Sequence, residues 1–113
     1  MQVQIRGGYS HANELNSFVE RRLQFALARF SGRIRSTIVR FQDLNGPRGG
    51  VDQECRISIY TYGGTQIVIT ERSSDVFEAV SRAADRAGRA VGRQVNLKND
   101  SRVRSRSAVN SGD

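Results

Sequence analysis

Residues 55–70, CRISIYTYGGTQIVIT, contain two runs of alternating polarity around a glycine pair, and they determine the fold that the sequence predicts. The apolar residues from Cys55 to Ile59 alternate with polar side chains, a pattern typical of a strand with one buried face. The pair Gly63-Gly64 is typical of a tight hairpin turn. Residues 36–41 alternate in the same way. We therefore predict three consecutive antiparallel strands in the middle of the chain.

Both flanks of this predicted meander show the periodicity of helices. Apolar residues recur at steps of three and four over residues 15–30 and again over residues 76–95, as in amphipathic helices. A short alternating run from Gln2 to Arg6 precedes the first helix. Asp75 is placed to cap the second helix, with Glu78 completing a capping box. The predicted element order is β-α-β-β-β-α.

This order predicts an α+β fold. The first strand reaches the second through a helix, so the two strands should be parallel with a right-handed crossover. We expect a four-stranded mixed sheet with both helices on one face. Phe25 lies at the margin of the first helix's apolar arc and is expected in the core, and Cys55 is expected to be a buried, chemically inert side chain. The opposite face, with Arg40, Arg56 and Tyr60, should be open to solvent or a partner.

Length and composition favour a single domain followed by a short tail. The chain has 113 residues, of which 37% are hydrophobic, enough for one modest core. We predict a folded domain over residues 1–99 and a disordered Ser/Arg tail over residues 100–113, because the tail is too polar to pack. No apolar run has the length of a membrane span, and residues 1–6 lack the apolar stretch of a signal peptide. A cytoplasmic protein with no membrane partner is expected.

The charge of the chain is strongly positive and is carried almost entirely by arginine. The formal net charge is +7, the sequence pI is about 11.0, and Lys98 is the only lysine. Guanidinium groups bind phosphate in a bidentate manner and stack on bases, whereas an ammonium acts as a point charge. This excess of positive charge favours a nucleic acid or an anionic membrane surface as the partner.

The strongest functional signal is a line of four arginines in the second helix, which we call the arginine stripe. Its members are spaced i, i+4, i+7 and i+11, so they fall within an arc of about 60°, opposite the apolar face and about 5–6 Å apart along the axis. This spacing resembles that of phosphates along one nucleic-acid strand, and we interpret the stripe as a phosphate-binding surface. An ordinary solvated face is the alternative. The stripe comprises Arg82, Arg86, Arg89 and Arg93, and supporting RNA contacts are predicted for Arg22, Arg29, Arg33 and Lys98.

Nothing in the sequence favours an enzyme or a cofactor site. His11 is the sole histidine and has no cysteine or acidic cluster beside it, as a metal site would require. The glycine-rich loop over residues 45–50 lacks the lysine and the helix of a phosphate-binding loop. Tyr62 and Tyr60 could stack on bases, but covering of the sheet is the favoured interpretation. We expect no catalytic residues, no metal, no cofactor and no small-molecule substrate.

The sequence resembles the ribosome hibernation-promoting factor and protein Y family from Met1 to about Lys98. The segments DVFEAV (residues 75–80) and DRAGRAVGR (residues 85–93) carry much of the likeness. The resemblance implies a fold similar to a double-stranded-RNA-binding domain. It also implies binding to the small ribosomal subunit between head and body, where such proteins overlap the mRNA and tRNA positions and silence stored ribosomes.

Several basic positions of the family have counterparts in this chain. The resemblance places Arg86, Arg89 and Arg93 at basic positions of the second helix and Arg22 at one of the first, whereas Phe25 stands where a basic residue is common. We expect a protein that is monomeric away from the ribosome and occupies ribosomal RNA. Two alternatives remain open at this point: a binder of structured or double-stranded RNA elsewhere, and a basic regulatory module that binds an acidic protein.

Overall fold

The computed structural model describes residues 1–7, 12–44 and 53–110, with side chains described as far as Asn96. The elements follow the predicted β-α-β-β-β-α order, with a 3-10 helix added after the first α-helix. In chain order they are β1 (Gln2–Arg6), α1 (Ala12–Leu27), the 3-10 helix (Ala28–Arg33), β2 (Ile34–Asp43), β3 (Gln53–Thr61), β4 (Gln66–Ser73) and α2 (Val76–Asn110).

The four strands form one mixed sheet in the order β1-β2-β3-β4. Strand β1 runs parallel to β2, and the two following pairs are antiparallel, as predicted. Both helices cover the same face of this sheet, because the inward positions of the strands and the apolar faces of α1 and α2 form a single core. The predicted α+β fold is confirmed.

The core is built from small and branched apolar side chains, which allow the helices to lie close to the sheet. Strand residues such as Val39, Ile57 and Ile59 meet helix residues such as Leu23 and Val80, all of them buried. Since burial of such a side chain contributes about 1.5–3 kcal/mol, these contacts provide most of the stabilisation of a small domain.

Two polar groups lie inside this apolar layer. Cys55 is fully buried, as predicted, and desolvation, followed by the nearby charges of Glu54 and Glu71, raises the pKa of its thiol to about 12. The thiol therefore stays protonated at neutral pH. Thr37 is also fully buried, and its Oγ1 has no hydrogen-bond partner among the described residues.

Helix α2 begins at the predicted cap but not with the predicted capping box. The backbone N–H of Phe77 donates to Asp75 Oδ1 at 2.9 Å, which confirms Asp75 as the cap. Glu78 does not complete the box: its Oε1 accepts a hydrogen bond from Ser73 Oγ at 3.1 Å, and Ser73 Oγ accepts one from the backbone N–H of Asp75 at 3.2 Å. A serine at the end of β4 thus joins the strand to the helix.

The end of α2 lies further along the chain than the predicted domain boundary. The helical backbone continues past Asn99 to Asn110. The division into a domain over residues 1–99 and a disordered tail over residues 100–113 stays a prediction. The side chain of Lys98, the loop over residues 45–50 and His11 lie outside the description.

Two aromatic side chains differ from their predicted positions. Phe25 is 82% exposed, so its assignment to the core is wrong. The buried line of α1 passes through Leu23 and Leu27, and Phe25 stands two positions from each of them, about 200° around the helix, so its side chain points away from the core. Tyr62 is 70% exposed and lies in the turn after β3, so it does not share a strand face with Tyr60 or cover the sheet.

Candidate nucleic-acid interface

Helices α1 and α2 lie side by side, and Gly88 of α2 allows them to approach closely. A Cβ atom on Gly88 would lie 2.9 Å from the carbonyl oxygen of Ala26, whereas one on Gly92 would lie 3.4 Å from Cζ of Phe30 in the 3-10 helix, an ordinary contact distance. Any side chain at residue 88 would therefore separate the helices. Because Gly88 and Gly92 have no side chains, the floor of the space between the helices is apolar and lies close to the helix backbones.

Above this floor lies an open cavity of about 640 Å³, which we call the interhelical groove. Its rim combines an aromatic ring with several guanidinium groups, one amide and one carboxylate. The groups on the rim are Phe25, Arg29, Asp85, Arg89, Arg93 and Asn96.

Three of the predicted RNA-binding arginines meet at this groove without a carboxylate partner in the described part of the chain. Arg89 Nε lies 3.5 Å from the carbonyl oxygen of Asp85, a long contact that leaves Nη1 and Nη2 of Arg89 available. The guanidinium of Arg29 lies 4.9 Å from the ring centroid of Phe30, where a cation–π contact orients it. Arg93 is exposed one helical turn beyond Arg89. The groove therefore presents three guanidiniums without a described ion-pair partner beside one carboxylate, that of Asp85, which pairs with Arg22.

The other two arginines of the stripe are paired with acidic side chains. Arg82 Nη2 lies 2.5 Å from Glu78 Oε1, one turn earlier on the same helix. Arg86 Nη1 pairs with Glu71 of β4 and also donates to the carbonyl oxygen of Thr70 at 3.1 Å. The stripe is therefore not the unopposed run of four charges that the spacing predicted.

The supporting residues are similarly divided. Arg22 Nη2 lies 2.8 Å from Asp85 Oδ1 and 3.3 Å from the carbonyl oxygen of Ser81, so its side chain braces α1 against α2. That side chain is 28% exposed, and its Nε is buried without a partner among the described residues. Arg33 is exposed at the end of the 3-10 helix, where its carbonyl oxygen accepts a hydrogen bond from the backbone N–H of Tyr62 at 3.1 Å. It lies outside the groove.

Phe25 is the residue of the groove that sequence reasoning missed. A large exposed apolar side chain is unusual enough to suggest a contact surface when it is rimmed by polar groups. Arg29 follows it by four residues, a spacing that places both residues on one face of the predicted first helix; in the structure Arg29 lies in the 3-10 helix and still lines the groove with Phe25. This proximity was the available signal.

No group of three or more histidine, cysteine, aspartate or glutamate side chains that could hold a metal occurs in the described ranges. Cys55, the only cysteine, is buried with a raised pKa. Across the described helices, none has the length and apolarity needed to cross a membrane.

Comparisons with known proteins agree with this architecture. The fold is similar to the crystal structure of the Thermus thermophilus Protein Y N-terminal domain, with a TM-score of 0.60 and 22% identity over 81% of this chain and 93% of that one. It is also similar to a ribosomal subunit interface protein from Coxiella burnetii, with a TM-score of 0.65 and 16% identity over 85% of this chain and 99% of that one. A search of curated protein sequences finds no match.

At these identities the structural likeness establishes the fold alone. The sequence itself carries the family assignment, because the family described as sigma 54 modulation protein / S30EA ribosomal protein matches residues 2–98, most of the chain. The chain belongs to the sigma 54 modulation protein / S30EA ribosomal protein family of ribosome-associated factors.

Proposed function

We propose that this protein binds the small ribosomal subunit through the interhelical groove, contacts ribosomal RNA near the decoding region, and blocks the mRNA and tRNA sites. It acts by occupying RNA and not by catalysing a reaction. The family membership supports a ribosomal partner, and a ribosomal partner implies a cytoplasmic protein. Away from the ribosome we expect a monomer.

The observation that carries this proposal is the group of three guanidiniums around the groove, against which the groove sets one carboxylate, that of Asp85. Arg89 and Arg93 lie on α2, which Gly88 brings into close contact with α1, and Arg29 lies in the 3-10 helix that directly follows α1. Because the helices are rigid, little conformational entropy is lost when the three groups bind phosphates together. Each phosphate that they neutralise releases counterions, which drives association at low salt.

Phe25 gives the groove a second kind of contact. Its ring is exposed beside the guanidiniums, so a nucleotide whose phosphate binds Arg29 can place an unpaired base on the ring. Stacking of a base on an aromatic side chain contributes about 1–3 kcal/mol. The groove is therefore suited to single-stranded or distorted RNA, where bases are accessible.

The proposal is tested by competition on purified small subunits. The full chain, labelled with a fluorophore at its N-terminus, is titrated with subunits that are empty or already hold mRNA and tRNA. We expect affinity to fall strongly on the occupied subunits and to be unaffected by excess duplex RNA. Equal affinity for empty and occupied subunits contradicts the proposed site, and displacement by duplex RNA indicates a general binder of structured RNA.

Phe25 provides a matched pair of variants for the same assay. Phe25→Leu removes the ring but keeps an apolar side chain, whereas Phe25→Tyr keeps a ring that can stack. Both should fold normally, because this side chain is 82% exposed. We expect Phe25→Leu to weaken subunit binding by about tenfold and Phe25→Tyr to retain it. Equal affinities for the two variants would exclude base stacking at this position.

A further inference from the structure

The sheet face opposite the helices carries one arginine on each of three neighbouring strands, all at the same register position. Arg6 of β1 is the register partner of Arg40 of β2, and Arg40 is the register partner of Arg56 of β3. All three are exposed. We call these three residues the arginine row.

Such a row is unfavourable for the isolated protein. Side chains directly opposite each other on neighbouring strands have Cβ atoms about 4.5–5.5 Å apart, and like charges in these positions destabilise a sheet. Arg40 is flanked by a like charge on both sides. A sheet stabilised by its own contacts alone would place neutral or alternating charges here.

The described neighbours of the row relieve little of this repulsion. Arg6 Nη2 donates to the neutral amide oxygen of Gln4 at 3.0 Å. Arg56 Nη2 lies 3.8 Å from Glu54 Oε1, and the other oxygen of that carboxylate lies 3.0 Å from Nε of Arg72. Arg40 has no ion-pair partner among the described residues. Arg56 and Arg72 therefore share the carboxylate of Glu54, and the other two arginines of this face have no described carboxylate partner.

Beside the row lies a mixed strip of polar and apolar side chains with one aromatic ring. A shallow depression of about 190 Å³ is lined by Arg40 and Arg56 together with Ile38, Ser58, Tyr60, Gln66 and Val68. In the strand register Ser58 lies between Ile38 and Val68, and the Tyr60 hydroxyl accepts a hydrogen bond from Gln66 Nε2 at 3.2 Å. Val68 is 49% exposed. The face thus combines a basic edge with aromatic and aliphatic surface on which bases can lie.

The dimensions of the row match a nucleic-acid backbone. Strands lie about 4.8 Å apart, so three neighbouring strands place their side chains across about 10 Å. Phosphates along one nucleic-acid strand are spaced about as widely as neighbouring strands of a sheet, so this distance covers about two or three of them. Guanidinium forks bind carboxylates and phosphates alike in pairs, so the regular repeat of phosphates along a strand is what favours a nucleic acid over an acidic protein surface.

We propose that the arginine row and the mixed strip beside it form a second RNA-binding surface, which holds the backbone of a single-stranded segment while bases lie on Ile38, Tyr60 and Val68. This surface is separated from the interhelical groove by the thickness of the sheet and helix layers. The protein can therefore hold two RNA segments at once, one on each side. The proposal does not depend on the groove being the ribosome-binding site.

The test uses Arg40→Gln, which removes the central charge, and Arg21→Gln, which removes an exposed charge of α1 outside the groove. Both are made in the full chain, on a background in which Arg89 and Arg93 are replaced by glutamine, so that the groove contributes little. The probe is a fluorescein-labelled single-stranded RNA of ten nucleotides, measured by anisotropy at several salt concentrations. Thermal melting is recorded for each variant.

The proposal predicts opposite changes in affinity and stability. Arg40→Gln should weaken RNA binding by about fivefold at 0.1 M salt. It should also reduce the slope of log affinity against log salt concentration by about 0.7, which is the contribution of one phosphate contact with a single strand. It should also raise the melting temperature by about 2 °C, because the like-charge contacts are relieved. Arg21→Gln should change neither quantity appreciably.

Several results would overturn the proposal. Equal RNA affinity of the two variants removes the row as a binding surface, whatever the groove does. A fall in both affinity and melting temperature for Arg40→Gln shows that the arginine stabilises the sheet and acts on RNA only indirectly. Binding of polyglutamate with higher affinity than the RNA assigns the surface to an acidic protein instead.

Discussion

Two double variants of α2 separate the free arginines of the stripe from the paired ones. Arg89→Gln/Arg93→Gln removes the two guanidiniums at the interhelical groove, and Arg82→Gln/Arg86→Gln removes the two that are bound to carboxylates. Glutamine has nearly the helix propensity of arginine, so α2 should form in both variants. Each variant loses two positive charges from the same helix. The long-range attraction of RNA should therefore fall by similar amounts, and any difference between them reflects direct contacts.

The expected magnitudes follow from the contacts of each pair. Two lost phosphate contacts should flatten the dependence of log affinity on log salt by about 1.4–1.8. Between 50 and 200 mM salt, the affinity ratio of wild type to Arg89→Gln/Arg93→Gln should therefore shrink by about tenfold. The free energy of unfolding should not change, because neither arginine has a carboxylate partner in the described structure.

The paired variant should show the reverse pattern. Arg86 joins α2 to Glu71 of β4, and Arg82 joins Glu78 within α2. Partly exposed ion pairs of this kind contribute up to about 1 kcal/mol each. We expect Arg82→Gln/Arg86→Gln to lower the free energy of unfolding by about 1 kcal/mol and to keep most of the salt dependence of binding.

Binding to purified small subunits at the two salt concentrations, together with urea denaturation, measures both quantities. The reasoning is refuted if the two double variants lose the same amount of salt dependence, since binding would then respond to the total charge of α2. It is also refuted if Arg82→Gln/Arg86→Gln loses more than the groove variant. That result would place the RNA on the β4 side of α2.

Four further outcomes are expected. Gly88→Ala should lower the melting temperature despite its gain in helix propensity, because the new Cβ would meet a backbone carbonyl of α1 at 2.9 Å. Its control, Gly32→Ala, should be tolerated because a Cβ there would have nothing within 4 Å. Thr37→Val should stabilise the protein by about 1 kcal/mol in urea denaturation, since it removes a buried hydroxyl without a described partner. Cys55 should resist thiol reagents at pH 8 in the native protein and react on unfolding, because its thiol is buried and its pKa is about 12. Truncation after Asn99 should weaken subunit binding modestly and leave the melting curve unchanged; a complete loss of binding would place essential contacts in the removed residues.

The fold could be predicted because its signals are local. Alternation around Ile57, the Gly63-Gly64 turn and the cap at Asp75 each act within a few residues. The inward assignment of Cys55 followed from the same alternation and is confirmed. Two aromatic side chains were misplaced. Phe25 was assigned to the core because it is apolar, although it is two positions from both Leu23 and Leu27 and so lies on the opposite side of α1. Tyr62 follows the last residue of β3, where alternation no longer defines a face.

The candidate site was less predictable because ion pairs depend on tertiary neighbours. The spacing of the stripe indicates which side chains share a face of α2, but not that Glu71 of β4 reaches Arg86. Likewise, the use of Arg22 as a brace depends on Asp85 of the other helix. The arginine row could not be predicted because it depends on the strand register. The sequence shows that a helix separates β1 from β2, but not that Arg6 is aligned with Arg40.

The parallel pairing of β1 with β2 has a consequence for the order in which the domain assembles. Tyr60 and Gln66 are register partners that are joined by a short turn. Gln2 and Ser36 are also register partners, but the whole of α1 lies between them in the chain. Closing the longer loop costs more chain entropy, so the hairpins of β2, β3 and β4 should form first and β1 should join last. Although β1 leaves the ribosome first during synthesis, it must wait for its partner strand. Pulsed hydrogen exchange during refolding should therefore protect the amides of β1 later than those of β3, and the row that begins at Arg6 is completed only in that final step.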